Sequence, residues 1–291
     1  MRRWLSFLAA AACLMLLGCR GPAEMPAETQ IPTAPTQAPT EIPTEPPTEP
    51  PTEPPVETAR ALIRSGEYTQ ALELLETLPE DPETATLICR AELGDPGVGD
   101  RFVLGSFEQD NDPENGPEPI TWVVLAVEGD RVLALSEYCL DSRPYHDVKD
   151  GKTTWAECAL RAWLNGEFCQ GTFAEAELTL VAETELVNHD NPYYGTPGGE
   201  NTVDRVFLLS VEEMKAYLPD ELLLGKATAY AEAQGAYTNP MGYGWWWLRT
   251  PGVYSRDATY ISAVGEYFQY GYVVSRRGWS VRPAIWLDLS V

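Results

Sequence analysis

The chain has 291 residues, with 20 Lys plus Arg against 44 Asp plus Glu, a formal net charge of −24, 25 Pro, 6 Cys and 2 His. That balance excludes a nucleic-acid binder, which needs clustered cations to neutralise phosphates. Two His also argue against a His-rich metal site or a His-based catalytic relay. At 44% hydrophobic residues the chain is too apolar to be wholly disordered, and its length allows one large domain or two small ones.

Residues 1–18 read as an export signal. Arg2 and Arg3 form a positive start, and Leu5 to Leu17 are apolar but for Ser6. The stretch is shorter than the roughly 20 residues a membrane span needs, and no later stretch is apolar enough to cross a bilayer. It closes with Leu16-Leu17-Gly18-Cys19, which resembles the lipobox of bacterial lipoproteins. That resemblance implies acylation of Cys19 as the mature N-terminus. It places the protein, extracellular and lipid-anchored, on the outer face of the bacterial cytoplasmic membrane; an ordinary secretory signal with a chance Cys is the alternative.

Residues 19–57 form a Pro/Thr/Glu-rich tether. Twelve of the 25 Pro fall between Arg20 and Glu57, where a period-four Pro-Thr-Glu-Pro unit recurs through Pro54. Such a segment cannot bury enough apolar surface to offset chain entropy and favours extended polyproline II. At about 3.1 Å per residue it reaches on the order of 120 Å, enough to lift a folded part off a bilayer.

Residues 58–96 carry helical spacing. Leu62, Ile63, Tyr68, Ala71, Leu72, Leu74, Leu75 and Leu78 recur with that period, and Gly66 marks a turn. The run Gly66-Glu67-Tyr68-Thr69-Gln70-Ala71-Leu72 resembles the middle of a tetratricopeptide repeat. One such unit is too few for a solenoid, so the expectation is a helical hairpin packed on its neighbour.

From residue 97 to 291 the pattern changes to short β-branched and aromatic runs. These are Phe102 to Phe107, Ile120 to Val127, Val132 to Ser136, Val203 to Leu209, Thr259 to Val264, Phe268 to Val274 and Val281 to Leu287. Glu128-Gly129-Asp130 and Gly265-Glu266 read as hairpin turns. Thr154 with Glu157, Thr172 with Glu175 and Ser210 with Glu213 fit capping boxes that open short helices. Trp155, Ala159, Ala162 and Trp163 fall on one face of the first, which should bury both indoles. Trp122 and at least one of Trp245 to Trp247 are also expected inside. The domain is therefore α+β with mostly antiparallel strands and short helices.

Several ordered motifs point further. They are Gly99-Asp100-Arg101-Phe102-Val103-Leu104-Gly105, Ile120-Thr121-Trp122, Leu160-Arg161-Ala162-Trp163-Leu164-Asn165, Asp204-Arg205-Val206-Phe207-Leu208-Leu209-Ser210, Trp246-Trp247-Leu248-Arg249-Thr250-Pro251-Gly252 and Val281-Arg282-Pro283-Ala284. Together, over about residues 97–289, they resemble the DUF6273 family, a domain of unassigned function in secreted and lipid-anchored bacterial proteins. A weaker resemblance, through Gly278-Trp279-Ser280-Val281-Arg282, is to the sulfatase-modifying and C-type-lectin-like superfamily. It implies a compact lectin-like domain with long irregular loops near the C-terminus.

Little in the chain reads as catalytic or metal-binding, and no cofactor is implied. Cys89, Cys139, Cys158 and Cys169 show no CxxC and no His at ligand spacing, which disfavours zinc. Cys158 and Cys169 read as free thiols, with a disulfide between them as the alternative. His146 and His189 sit beside acids in polar loops and read as surface residues. No Gly-x-Ser-x-Gly elbow is present. Asp110 to Gly116 offers oxygen ligands, but its Gly is one place late for an EF-hand, so it reads as a polar loop with calcium the lesser reading.

Aromatic residues concentrate near the C-terminus, with thirteen of thirty between Tyr237 and Trp286. Part of the Trp run must be core, because strand side chains alternate. Tyr254, Tyr267, Tyr270 and Trp279 flank Gly and Ser, and Tyr with Trp is the composition of stacking and adaptable binding surfaces. These four are the expected ligand-contacting residues of a non-catalytic module. Residues 58–291 carry a net −20, so a neutral glycan or a protein is the expected partner. An extracellular carboxylate-dependent hydrolase or modifying enzyme, or a structural envelope lipoprotein, is the alternative.

Overall fold

The computed structural model describes residues 53–148 and 151–290. Cys19, the export segment and nearly all of the tether lie outside the described residues. No helix among the described residues is long and apolar enough to cross a membrane.

Three helices come first: α1 (Pro55–Arg64), α2 (Tyr68–Leu75) and α3 (Pro82–Leu93). The first starts at Pro55, inside the expected tether, because Pro fits the first helical position, where its missing N–H costs nothing. Helices α1 and α2 form the expected hairpin about Gly66, and α3 adds a third helix to it. Asp81 caps α3 by accepting from the Thr84 N–H at 2.9 Å. Ala59, Ile63, Ala71, Leu75, Leu87 and Ala91 close a small apolar core of their own.

The strands follow as β1 (Arg101–Phe107), β2 (Glu118–Glu128), β3 (Arg131–Ser136), β4 (Tyr138–Cys139), β5 (Asp141–Ser142), β6 (Thr184–Leu186), β7 (Thr202–Asp204), β8 (Val206–Phe207), β9 (Lys226–Ala227), β10 (Trp246–Pro251), β11 (Asp257–Ile261), β12 (Tyr267–Val273), β13 (Ser280–Val281) and β14 (Ala284–Asp288). Short helices α4 (Ala159–Trp163), α5 (Cys169–Thr172), α6 (Glu175–Leu180), α7 (Val211–Tyr217) and α8 (Ala229–Ala233) lie between them. One sheet has the order β1-β2-β3-β14-β8 and is antiparallel throughout. The other runs β12-β11-β10-β13-β5, with only the β10/β13 pair parallel. A single apolar core joins them, with Trp122, Trp155, Trp246, Trp247, Phe168 and Phe207 its largest buried aromatic side chains. The α+β class is as expected, and so are the β2/β3 hairpin at Gly129 and the β11/β12 hairpin at Gly265.

The helix starts divide. Ser210 accepts from the Glu213 N–H while Glu213 accepts from the Ser210 N–H, a complete capping box on α7. Thr154 caps nothing: Trp155–Glu157 is a single 3₁₀ turn, Cys158 breaks the helix with extended backbone, and α4 starts afresh with the Cys158 sulfur accepting from Arg161 N–H. Thr172 ends α5, and α6 starts three residues later at Glu175, where Glu177 accepts from the Ala174 N–H. The break at Cys158 also undoes the expected helical face. Trp155 is buried, but Ala162 is exposed and Trp163 only half-buried, with the Arg143 guanidinium 4.0 Å above its ring.

Candidate functional site

Most of the charged motif residues are answered inside the fold. Buried Asp204 accepts from Trp155 Nε1 at 2.8 Å and Thr202 Oγ1 at 2.8 Å on one oxygen and from Arg161 Nε at 2.7 Å on the other. Asn165 accepts from the Arg205 and Val206 N–H groups, which ties the π-helical stretch Leu164–Phe168 to β8. Arg249 pairs with both oxygens of Glu213 and donates to Leu208 O, as an internal ion pair should. Arg282 is different. It is fully buried without a carboxylate partner among the described residues, donates to Ser136 O, Leu222 O and Glu137 O, and stacks on Trp246 at 5.2 Å. These residues hold the fold and leave nothing pointing outward.

The second sheet is different on one face. Cross-strand pairing aligns Trp247, Tyr260 and Phe268, and pairs Ala258 with Tyr272. Trp279, from the turn before β13, lies against Trp247, Tyr260 and Tyr272 with ring centroids 4.3, 4.1 and 4.9 Å away. The ladder continues outward as Tyr260 stacks flat on Phe268 at 4.8 Å and Phe268 meets Tyr270 edge to face at 5.9 Å. Tyr270 and Tyr272 are 51% and 44% exposed at its rim. Burial pushes the Tyr260 phenol up to about 12, with the Tyr270 and Tyr272 hydroxyls adding to the effect, so that phenol is uncharged at neutral pH.

One end of the ladder opens into a cleft of about 480 Å³ lined by Ala236, Tyr237, Thr238, Trp245, Tyr272, Arg276 and Trp279. Tyr237 reaches it from a loop far upstream. Its N–H donates to Gly278 O at 2.8 Å, and its ring stands where a Cβ at Gly278 would come within 2.7 Å, at a residue with φ +91°. Only Gly serves there. The Arg276 guanidinium lies 5.1 Å from the Tyr237 ring and 5.7 Å from the Tyr272 ring. Its Nε is buried with no hydrogen-bond partner.

The four residues singled out from the sequence do not converge. Trp279 lines the cleft, but it is 5% exposed and mostly packed under its neighbours, so it is not the freely exposed ring expected of a loop aromatic. Tyr270 is exposed on the ladder's outer end. Tyr254 is exposed in the turn before β11 with Arg256 over its ring at 5.3 Å. Tyr267 belongs to the other face, beside Lys215 and Tyr193, where burial raises its phenol well above the ordinary value. The residues that sequence reasoning missed are Tyr237, Trp245, Tyr272 and Arg276. Tyr272 lies in the same strand as Tyr270, and the doublet Arg276-Arg277 in an acidic chain was the available signal.

Elsewhere the chemistry is quiet. His146 Nδ1 accepts from the Ala159 N–H, and His189 is exposed, away from the cleft. Cys89, Cys139, Cys158 and Cys169 are free thiols; burial pushes Cys139 up to about 11 and Cys158 to about 12, so neither is a thiolate at neutral pH. Glu108, Asp110 and Glu118 bring one oxygen each within 4.8 Å of one another. Glu118 there accepts from the Gln109 and Asp110 N–H groups and Asp110 from Asn115, as a self-contained polar turn.

A family model described as "Domain of unknown function (DUF6273)" matches residues 129–289. No curated protein and no solved structure matches the chain. Neither comparison supports the lectin-like resemblance of Gly278 to Arg282, five residues that are all buried.

Proposed function

The chain belongs to the DUF6273 family, and from its aromatic cleft we propose that it is a lipid-anchored cell-surface protein displaying a non-catalytic glycan-binding module. One observation carries the reading: a cleft and an adjoining ladder built from Tyr and Trp rings on an otherwise polar, acidic surface. Flat aromatic rings stack on the apolar faces of sugars while their hydroxyls and indole N–H groups bond the sugar oxygens. The fully buried indoles of Trp122, Trp155, Trp246 and Trp247 each donate to an acceptor in the fold. Trp163, Trp245, Trp279 and Trp286 have no such acceptor among the described residues, and of these Trp245 and Trp279 line the cleft, where a ligand would meet them. The anchor is Cys19 and the tether supplies reach. The helices α1 to α3 serve as a spacer at the domain's base, with Arg90 Nε donating to Leu289 O at 2.9 Å.

Two experiments test this. Replacing Cys19 by Ala should release the protein into the medium, and continued membrane retention contradicts the anchor. On a glycan array the wild-type protein should bind and the Trp245→Ala/Tyr272→Ala double variant should not. Equal binding by both moves the site elsewhere, and turnover of the glycan makes the domain an enzyme.

A further inference from the structure

We infer that the cleft takes a sugar unit bearing a carboxylate, its ring against Tyr272 and Trp279 and its carboxylate on the Arg276 guanidinium. This rests on the glycan-binding reading of the cleft and specifies the ligand's charge. Each of Arg90, Arg161, Arg249 and Arg282 is deeply or largely buried, and each has an acceptor on Nε: Leu289 O, Asp204, Asn188 and Ser136 O. Even the more exposed Arg101 and Arg143 donate from Nε to Glu137 and Asp141 at 2.8 and 2.7 Å. Arg60, Arg131 and Arg205 bond through their terminal nitrogens instead, but Arg276 has no side-chain acceptor at all among the described residues. It is the one cationic side chain among the described residues with a buried nitrogen that has no partner. Enclosing one guanidinium nitrogen without an acceptor is unfavourable, so the arrangement fits a group whose remaining N–H donors complete their bonding with a ligand.

The surroundings define that acceptor. Tyr237 and Tyr272 stack on the guanidinium and hold its plane at the cleft wall, so its N–H edge is what remains to bond. A planar fork of N–H donors fits a carboxylate, with two parallel hydrogen bonds. Arg276 makes no ion pair within the described residues, although acids outnumber bases 44 to 20 in the chain. Its sequence neighbour Arg277 is exposed, and Arg256 is joined to the same strand end by the Val274 N–H to Arg256 O bond. At the cleft Arg276 thus sets a cation on a domain that is strongly anionic overall, while the neighbouring Glu232 carboxylate is already held by Thr238 Oγ1 at 3.1 Å. Beyond the Debye length of about 8 Å that anionic field is screened, but a densely charged polymer lying across the surface would still meet it at close range. A glycan with isolated carboxylates satisfies both the local cation and the surrounding field.

Such a carboxylate comes on two kinds of sugar, a uronate, in which it replaces the primary alcohol, and a muramate, in which it is carried on a lactyl ether. Four probes distinguish them: glucose and glucuronate oligosaccharides of equal length, and N-acetylglucosamine oligosaccharides with and without N-acetylmuramate. Titrated calorimetrically into the full-length protein, one acidic probe should bind at least tenfold more tightly than its neutral match. The Arg276→Gln variant, which breaks no side-chain hydrogen bond or ion pair among the described residues and loses only the contact with the Tyr237 and Tyr272 rings, should keep its melting temperature within a few degrees and should reduce that preference to near unity. Arg276→Lys should restore part of it, and the preference should shrink as salt rises.

Equal affinity for both members of each pair overturns the carboxylate inference while leaving the glycan-binding reading in place, provided Trp245→Ala/Tyr272→Ala abolishes binding. A preference that survives Arg276→Gln also overturns the inference. Binding of none of the four probes overturns the inference and the reading together.

Discussion

Two arginines separated by 27 positions show how differently this domain treats its interior and its C-terminal cleft. Arg249, 3% exposed, is held by both oxygens of Glu213, by Leu208 O and by Asn188. Arg276 is held by two aromatic faces and by no acceptor among the described residues. The first is a fastener: Glu213 also caps α7, so a single carboxylate closes a helix end and neutralises a buried cation. The second is incomplete as it stands. Polar groups that a fold finishes for itself hold the structure, and those it leaves unfinished at an open cleft are where a ligand belongs.

That contrast can be broken at either side. Glu213→Ala should have the largest effect, about 3–5 kcal/mol in urea unfolding, because it strands the Arg249 charge in the core and removes a cap. A loss below about 1 kcal/mol would show that Arg249 finds other acceptors. Trp247→Ala removes a fully buried indole that donates to Arg143 O and should cost a similar ~3–5 kcal/mol. Trp163→Ala should cost only about 1–2 kcal/mol, since its ring stays partly exposed, packed on Phe168, Phe107 and the Arg143 guanidinium. Equal costs for Trp163 and Trp247 would mean that the α4 region packs more tightly than described.

At the cleft the sign reverses. Tyr272→Ala should change stability by no more than about 1 kcal/mol while weakening glycan binding at least tenfold, and calorimetry alongside thermal melting separates the two. The smallest effect is one of pH. The Tyr260 phenol is raised to about 12, mainly by burial. Its contribution to stability is therefore complete below the unfolded value near 10 and is lost as pH rises through about 12. Tyr260→Phe keeps the stack on Phe268 and should flatten the alkaline fall in melting temperature. An unchanged profile would place the titrating group elsewhere.

The parts of this architecture legible in the sequence are those fixed by neighbours in the chain. Ser210 with Glu213, the hairpin at Gly129 and the burial of Trp122 and Trp155 depend on local pattern and on indoles too large to leave outside. Thr154 and Thr172 fit the same capping pattern and cap nothing, because a Cys158 kink and a late start at Glu175 override it. The cleft was half legible. The aromatic concentration located its region of the chain, but strand alternation is broken between Tyr260 and Tyr272. There the pairing shifts from Ala258↔Tyr272 to Tyr260↔Phe268, and Gly271 turns through φ +70° against the Ala258 carbonyl. That irregularity, and the passage of Tyr237 over Gly278 from a distant loop, decides that Tyr237 and Tyr272 rather than Tyr254 and Tyr267 line the cleft. Neither is encoded in spacing alone.

The central claim is that ligand meets Trp245 and Trp279 and not the internal indoles. The direct measurement follows the eight indole N–H resonances of the protein from Cys19 onward by ¹H–¹⁵N NMR while the best-bound acidic oligosaccharide is added. The Trp245 and Trp279 signals should shift and saturate together, with Trp122, Trp155, Trp246 and Trp247 nearly unmoved. Shifts confined to Trp163, beside Arg143 on α4, or binding without movement of either cleft indole, would contradict the account.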